Sequence, residues 1–428
     1  MNRRIAFAIA LLLFPLFASA DYRISVWVRN KTTSVNNFNT YNQGTVHEAN
    51  AVWYYFSTVS GPNGPVVNII DVHTSSTAFT APGAAFVPTI QNTTPGSGFS
   101  DSSTLMGYIF RSEADMDDHA AKVASIVTAN NWDGIDLDYE RMLVNVADAD
   151  IPAWRDKFTS LVRRIKSRLP NKIVSVTVYR RRSASGSRDS RNAQAYDYRA
   201  LTNAGAADFM KIMMYNDIGS YQQLVNDGAM EEALTYTMGE VWDHKKVIVA
   251  LPWYAVNLTT NTEGPSEPNA TGLGRNGSWE QTFTSPYNGV QIDAEALRHK
   301  ILVVLRKYDV GGFAFWEPGA ALPGVWDVLR GRIGTEGATV TAQPPTDCSG
   351  TVYVGSVSLP SGATDTTYNW FKTAEASSCT PLAKWISSGN PGTGLTSATH
   401  AVRVSGVVGQ RVFEAQSGPV RGRAVGCP

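Results

Sequence analysis

Eight short runs rich in β-branched and aromatic residues recur along the first three quarters of the chain. They are YRISVWV (22–28), AVWYYF (51–56), FVPTI (86–90), GIDLDYE (134–140), IVSVTVY (173–179), DFMKIMMY (208–215), KVIVALPWY (246–254) and GGFAFWE (311–317). Between the later ones, EADMDDHAAKVASIVTAN, IPAWRDKFTSLVRRIKSRL, MEEALTYTMGEVWD and DAEALRHKILVVLRKY repeat their apolar residues every three or four positions. Several of these begin with Asp, Glu or Pro, as helix starts prefer. Strand-like runs alternating with helices predict parallel strands joined by crossover helices, an α/β fold. Closure into an eight-stranded (β/α)8 TIM barrel is the simplest outcome, and an open doubly wound sheet is the alternative. No glycine-rich fingerprint opens a helix after the first run, which argues against a nucleotide-binding version.

The pattern breaks after GVWDVLRGRIG. A Thr-, Gly- and Pro-rich stretch reads as a linker at 336–348, and beyond it alternating short runs predict a small all-β module at 349–428. Trp370, Trp385, Tyr353 and Tyr368 form either a sugar-stacking face or the aromatic core of that module. At the other end, Arg3 and Arg4, an apolar stretch and the small residues Ala18, Ser19 and Ala20 read as a cleavable signal at 1–20, too short to span a membrane. The barrel then occupies 21–335, and the mature protein is expected outside the cytoplasm, secreted or periplasmic. Export permits disulfides, but there are only 3 cysteines, Cys348, Cys379 and Cys427. They allow one bridge in three possible pairings and leave the barrel to be held by its core.

Composition adds little beyond ordinary globularity: 43% hydrophobic, 17% charged, and 37 basic against 37 acidic residues for a formal net charge of +0. That balance gives no pull toward nucleic acid or an anionic membrane. The local distribution is more informative. In NWDGIDLDYER, Asp133, Asp136, Asp138 and Glu140 are crowded onto one predicted strand, where like charges repel. Alternate residues of a strand share a face, so Asp136, Asp138 and Glu140 point together while Ile135, Leu137 and Tyr139 point oppositely. In a barrel the apolar set packs on the helices, and the acids climb the interior toward the C-terminal rim. A solvated strand face fits poorly where both faces are buried, and cation cages usually draw their oxygens from a loop. Catalytic use of the acids is the stronger reading, with no metal and no cofactor expected.

DGIDLDYE resembles the D-x-x-D-x-D-x-E signature of glycoside hydrolase family 18, the chitinases and their relatives, with all four acids at that spacing. Other segments match in order: MMYND (213–217) resembles the sixth-strand M-x-Y-D motif, VALPWY (249–254) the seventh-strand segment with Ala250 for the usual glycine, and GGFAFWE the eighth strand. The likeness spans about 22–335. It implies a (β/α)8 barrel and substrate-assisted, retaining hydrolysis beside an N-acetylhexosamine. On that resemblance Glu140 is the general acid and later base, Asp138 orients the acetamido N–H, and Asp136 shares a proton or hydrogen bond with Asp138. Tyr215 would donate to the acetamido oxygen, Trp316 would floor the sugar, and Asp133 would hold the strand turn, tune Asp136 and count, with Trp316, Asn216, Trp253 and Tyr254, among the substrate-binding residues. Asn216 stands where many relatives carry Asp, which bears on sugar contacts rather than on the core chemistry.

Between the seventh and eighth runs, a segment rich in Asn, Thr and Gly looks short for the α+β insertion of many chitinases, so an open cleft is expected. Trp253, Tyr254, Trp279 and Tyr287 either line subsites or pack that loop. After the fifth run, Arg180, Arg181, Arg182, Arg188 and Arg191 sit at the rim. They form a solvated face or else recognise an anionic glycan such as peptidoglycan. The expected function is a secreted glycosidase, monomeric, acting on polysaccharides or oligosaccharides containing β-linked N-acetylglucosamine. Chitin or chitooligosaccharides are the first choice, with peptidoglycan and N-glycans as alternatives. The competing class is a glycan-binding lectin on the same fold, against which the presence of Glu140 counts. Five N-x-S/T sequons, at Asn30, Asn92, Asn257, Asn269 and Asn276, matter only where a host glycosylates.

Overall fold

In the computed structural model all eight runs become strands, numbered here in chain order: β1 Arg23–Arg29, β2 Glu48–Gly61, β3 Thr89–Gln91, β4 Gly134–Asp138, β5 Ile173–Tyr179, β6 Phe209–Met213, β7 Val247–Pro252 and β8 Gly312–Trp316. The structure describes residues 22–73, 79–184, 190–203, 205–215, 224–305 and 307–330, and the strands of the C-terminal part. Each barrel strand pairs in parallel with the next, and β8 returns to β1, so the sheet closes. The open doubly wound alternative is thereby excluded. Close strand approach explains two glycines: a Cβ at Gly134 would lie 2.2 Å from the Ile173 carbonyl oxygen, and one at Gly312 1.9 Å from that of Arg23.

The alternation read from the sequence sorts side chains as expected. Ile135, Leu137 and Tyr139 are fully buried against the surrounding helices, among them Glu113–Ala129 and Ile151–Arg168. The Tyr139 ring packs on Phe56 and Phe158, and its hydroxyl lies 2.8 Å from His119 Nε2. The barrel interior, by contrast, is largely polar. Ser25, Glu48, Asn50, Asp136, Ser175 and Lys211 are all completely buried there, where many such barrels stack branched aliphatic residues. A small apolar cluster of Trp27, Val52, Ile248, Ala250 and Ala314 carries Tyr215 and Trp316.

Outside the barrel, Gly64–Asp71 runs back antiparallel on β2. The segment between β7 and β8 is more than a loop. It forms a five-stranded antiparallel sheet in the order Thr262–Gly264, Ala255–Asn257, Gly289–Gln291, Gln281–Phe283 and Gly274–Arg275. In the C-terminal part, Thr339–Gln343, Val352–Ser358 and Ser397–Arg403 make one antiparallel sheet. Lys384–Gly389, Tyr368–Glu375, Arg411–Ser417 and Val420–Gly426 make another. The strand Thr339–Gln343 falls within the stretch read as a linker. Residues 1–20 and the three cysteines lie outside the described residues, as do the side chains of Trp370, Trp385, Tyr353 and Tyr368. Among the described residues no helix is long and apolar enough to cross a membrane, and no group of three or more His, Cys, Asp or Glu is placed to hold a metal ion.

Candidate active site

The strand β4 ends at Asp138, and Glu140 stands just beyond it, at the C-terminal rim. Asn92, one residue past β3, fixes that turn: its Oδ1 accepts from Glu140 N (2.7 Å) and its Nδ2 donates to Glu140 O (2.9 Å). Arg141 then takes a positive φ of 50° and leads the chain away. The three acids therefore rise from the barrel floor to its mouth, each in a different electrostatic setting.

Asp136, the deepest, is surrounded by donors. Trp27 Nε1 (2.9 Å), Thr89 Oγ1 (3.0 Å) and Ser175 Oγ (2.6 Å) donate to it, and the Lys211 ammonium lies 3.1 Å away. The indole and the ammonium can only donate, an arrangement suited to a carboxylate. Lys211 also reaches Glu48 (2.6 Å) and Asn50 Oδ1 (3.0 Å), and Arg23 completes the Glu48 shell at 2.8 Å. Burial alone would raise the Glu48 pKa, but the Lys211 and Arg23 charges outweigh it and hold the group at about 2.

Asp138 is set up oppositely. Its Oδ2 accepts from Gln91 Nε2 (2.8 Å), its buried Oδ1 is reached by no N–H or hydroxyl donor, and the carboxyl bonds the Glu140 side chain. Burial and the neighbouring Glu140 and Asp136 charges push its pKa well above the ordinary carboxylate range, against the pull of Gln91 and Lys211. Burial also raises Glu140, whose Oε2 accepts a 2.5 Å bond from the Tyr179 hydroxyl; that bond and Arg141 oppose the rise. The ladder thus has a charge-compensated base and two upper carboxyls whose pKa values burial pushes up, the direction a general acid needs.

Tyr215 and Trp316 rest on the apolar cluster beside this ladder, and Tyr254 meets Tyr215 edge-on, with ring centroids 6.3 Å apart. Burial raises the Tyr215 hydroxyl's pKa well above its ordinary value, so it stays a donor. A cavity of about 370 Å³ opens over Trp316 and Gln91, lined also by Arg29, Lys31, Tyr55 and Phe99. The sheet between β7 and β8 adds Glu263, which bonds the Tyr254 side chain and whose charge is felt at Glu140.

Several expected contacts are not brought to the site. Asp133 sits at the opposite end of β4, exposed, its Oδ2 accepting from Phe86 N (2.8 Å). Seven residues of extended chain, roughly 20 Å or more, separate it from Glu140, so it anchors the strand entry and does not bind sugar. Trp253 is 0% exposed and stacks on Phe315 at 4.5 Å, outside the barrel wall, because it alternates with the inward side of the chain; it is core. Asn216 lies outside the described residues, as does Arg188. Arg180, Arg181 and Arg191 are not a free cationic rim. Arg180 donates to Met214 O, Arg181 to Tyr196 O and Ala184 O, and Arg191 to the carboxylate of Asp148. Trp279 stacks on His299, and Tyr287 packs on Phe283, within the inserted sheet.

Sequence reasoning missed Tyr179, Gln91, Asn92, Trp27, Glu263, Glu48 and Lys211. One had a signal: a lysine inside the apolar run DFMKIMMY has to be paired if that run is a buried strand.

A closed (β/α)8 barrel with a carboxylate ladder rising on its fourth strand to the C-terminal rim defines a TIM-barrel protein of glycosidase type. The chain belongs to the glycosyl hydrolases family 18, whose model matches residues 35–320. Its fold is similar to that of a class V chitinase from Pseudomonas fluorescens (TM-score 0.57, 16% identity, 72% of this chain and 98% of that one). It is similar also to the spore cortex-lytic enzyme SleL of Bacillus megaterium (0.56, 15%, 72% and 73%) and to a chitinase from Chromobacterium violaceum (0.55, 14%, 72% and 98%). No curated protein matches the chain.

Proposed function

We propose that this barrel hydrolyses glycans containing β-linked N-acetylglucosamine, with chitooligosaccharides the simplest substrates, by substrate assistance and with retention. The observation that carries the reading is Asp138 Oδ1, a buried acceptor that no N–H or hydroxyl donor reaches, beside the Glu140 carboxyl at the rim. A substrate acetamido N–H supplies the missing donor. Glu140 gives its proton to the glycosidic oxygen as the C1–O bond breaks, and the acetamido oxygen closes on C1 to form an oxazolinium ion. Asp138 holds the N–H, Tyr215 donates to the acetamido oxygen, and Trp316 lies under the ring. The Glu140 carboxylate then takes a proton from the water that attacks C1, and the acetamide reopens. Export through residues 1–20 would bring the enzyme to such polymers outside the cytoplasm.

The test is release of fluorophore from an N-acetylchitooligosaccharide glycoside by the wild type and by Glu140→Gln. Loss of the acid is expected to lower kcat by about 10²–10⁴-fold. Equal rates would refute the assignment. Binding without turnover by the wild type, on chitin, peptidoglycan and a high-mannose glycopeptide alike, would instead make the protein a lectin.

A further inference from the structure

Most of the cationic groups described at this end of the barrel are engaged by backbone carbonyls or acids. Arg29, the last residue of β1, is an exception. It is half-buried, its guanidinium lies 5.6 Å from the Trp316 ring centroid, and among the described residues no carboxylate comes within ion-pair distance of it. Its charge is felt at Tyr55 and at Glu263, but neither bonds it. Lys31, two residues on, is exposed and likewise has no ion-pair partner among the described residues. Both line the cavity that opens over Trp316 and Gln91, whose volume of about 370 Å³ falls in the range of ligand sites.

A cation that lines a cavity and bonds no carboxylate of its own is free to pair with an anion that a ligand brings. Guanidinium groups bind planar carboxylates through paired hydrogen bonds, and a lysine nearby adds charge without demanding geometry. Gln91 ties this cavity to the ladder, because its amide bonds Asp138. A sugar seated over Trp316 is therefore the one whose bond is cleaved, and Arg29 and Lys31, lining the same cavity, stand where a group on the next sugar of the strand can reach them.

We infer that Arg29 and Lys31 form a carboxylate-recognising subsite, and that the substrate is a glycan strand in which the sugar beside the cleaved N-acetylhexosamine carries a carboxylate. The inference rests on the proposed glycan cleavage. It relocates anion recognition from the segment after β5, where Arg180, Arg181 and Arg191 are tied down, to the end of β1 and the residues after it. The carboxylate has two sources, a lactyl ether on the sugar itself or a peptide stem attached to it.

The experiment compares kcat/KM of the full chain on four substrates: chitohexaose, peptide-free strands of alternating N-acetylglucosamine and N-acetylmuramic acid, the same strands with peptide stems, and peptide-free strands with reduced carboxyls. The wild type should favour the carboxylated strands over chitohexaose and lose that preference on carboxyl reduction. Preference for peptide-free strands assigns the lactyl group, and preference only for stem-bearing strands assigns the peptide. In Arg29→Gln the ratio of carboxylated to neutral kcat/KM should fall at least ten-fold. In Lys31→Glu, where an exposed side chain poses no folding risk, it should fall several-fold and more steeply at low salt. A ratio within two-fold of wild type in both variants overturns the inference. If the wild type cleaves none of the four, the hydrolytic reading fails. Equilibrium binding of the same strands by Glu140→Gln then still decides the subsite.

Discussion

Replacing Lys211 by Met tests the account of the barrel interior most directly. The Lys211 side chain is 1% exposed and its ammonium lies 2.6 Å from Glu48 and 3.1 Å from Asp136, both completely buried. In an effective dielectric of ~20, one such contact is about 5–6 kcal/mol of gross attraction. Desolvating the ions offsets much of that, but truncating one partner leaves the others buried and uncompensated, at about 3–5 kcal/mol. Met fills much of the volume, so cavity formation is a small part of the loss. After the change only Arg23 neutralises Glu48, while Asp136 keeps its neutral donors and loses its cation. For a domain of this size about 2–3 °C accompanies each kcal/mol, so the melting temperature should fall by about 6–15 °C at pH 7. Thermal and urea unfolding followed by circular dichroism read the effect. The deficit should shrink as pH falls toward 4.5 and below, because burial pushes up the pKa of a Glu48 that has lost Lys211 and it takes up a proton that the wild type holds off down to about pH 2. The double variant Glu48→Gln/Lys211→Met should recover part of it, because the contacts couple. A loss under about 1 kcal/mol, or one that does not vary with pH, would refute the paired interior.

Two further outcomes follow from the pKa directions. Tyr179→Phe removes a donor that favours ionised Glu140, so the Glu140 pKa should rise and the alkaline limb of the kcat/KM profile should move to higher pH; an unmoved limb would show that the 2.5 Å contact does not tune the acid. His119 is held neutral by burial, with its pKa depressed from 6.5 to about 3, so the unfolded chain binds the proton first and stability falls as pH drops across that window. His119→Gln keeps a side-chain partner for Tyr139 and should flatten the slope of unfolding free energy between about pH 6.5 and 3, and an unchanged slope would place the acid sensitivity elsewhere.

Much of this molecule was legible in the chain because its two main signals are local. Period-two alternation put Asp136, Asp138 and Glu140 on one side of β4 and Ile135, Leu137 and Tyr139 on the other, and the alternation of strands with helices gave the barrel. Local order does not say what stands opposite. Trp253 and Tyr254 are adjacent and chemically alike, yet one packs on the outer wall and the other meets Tyr215. Asp133 belongs to the same acidic motif as Glu140 but ends at the other mouth of the barrel. Arg180, Arg181 and Arg191 read as part of a cationic rim, yet backbone carbonyls take up their donors, while nothing in the local sequence marks Arg29.

Lys211 and Asp136 are 75 positions apart, and Trp27 meets Asp136 across 109 residues. Such contacts exist only because the sheet closes, with β8 returning to β1 and every inward side chain converging on a common axis. The sequence by itself determined which residues share a strand face, a matter of backbone geometry repeated every second residue. Only the tertiary structure decided which charges neutralise one another, because pairing depends on the register of closure and on the low dielectric that closure creates.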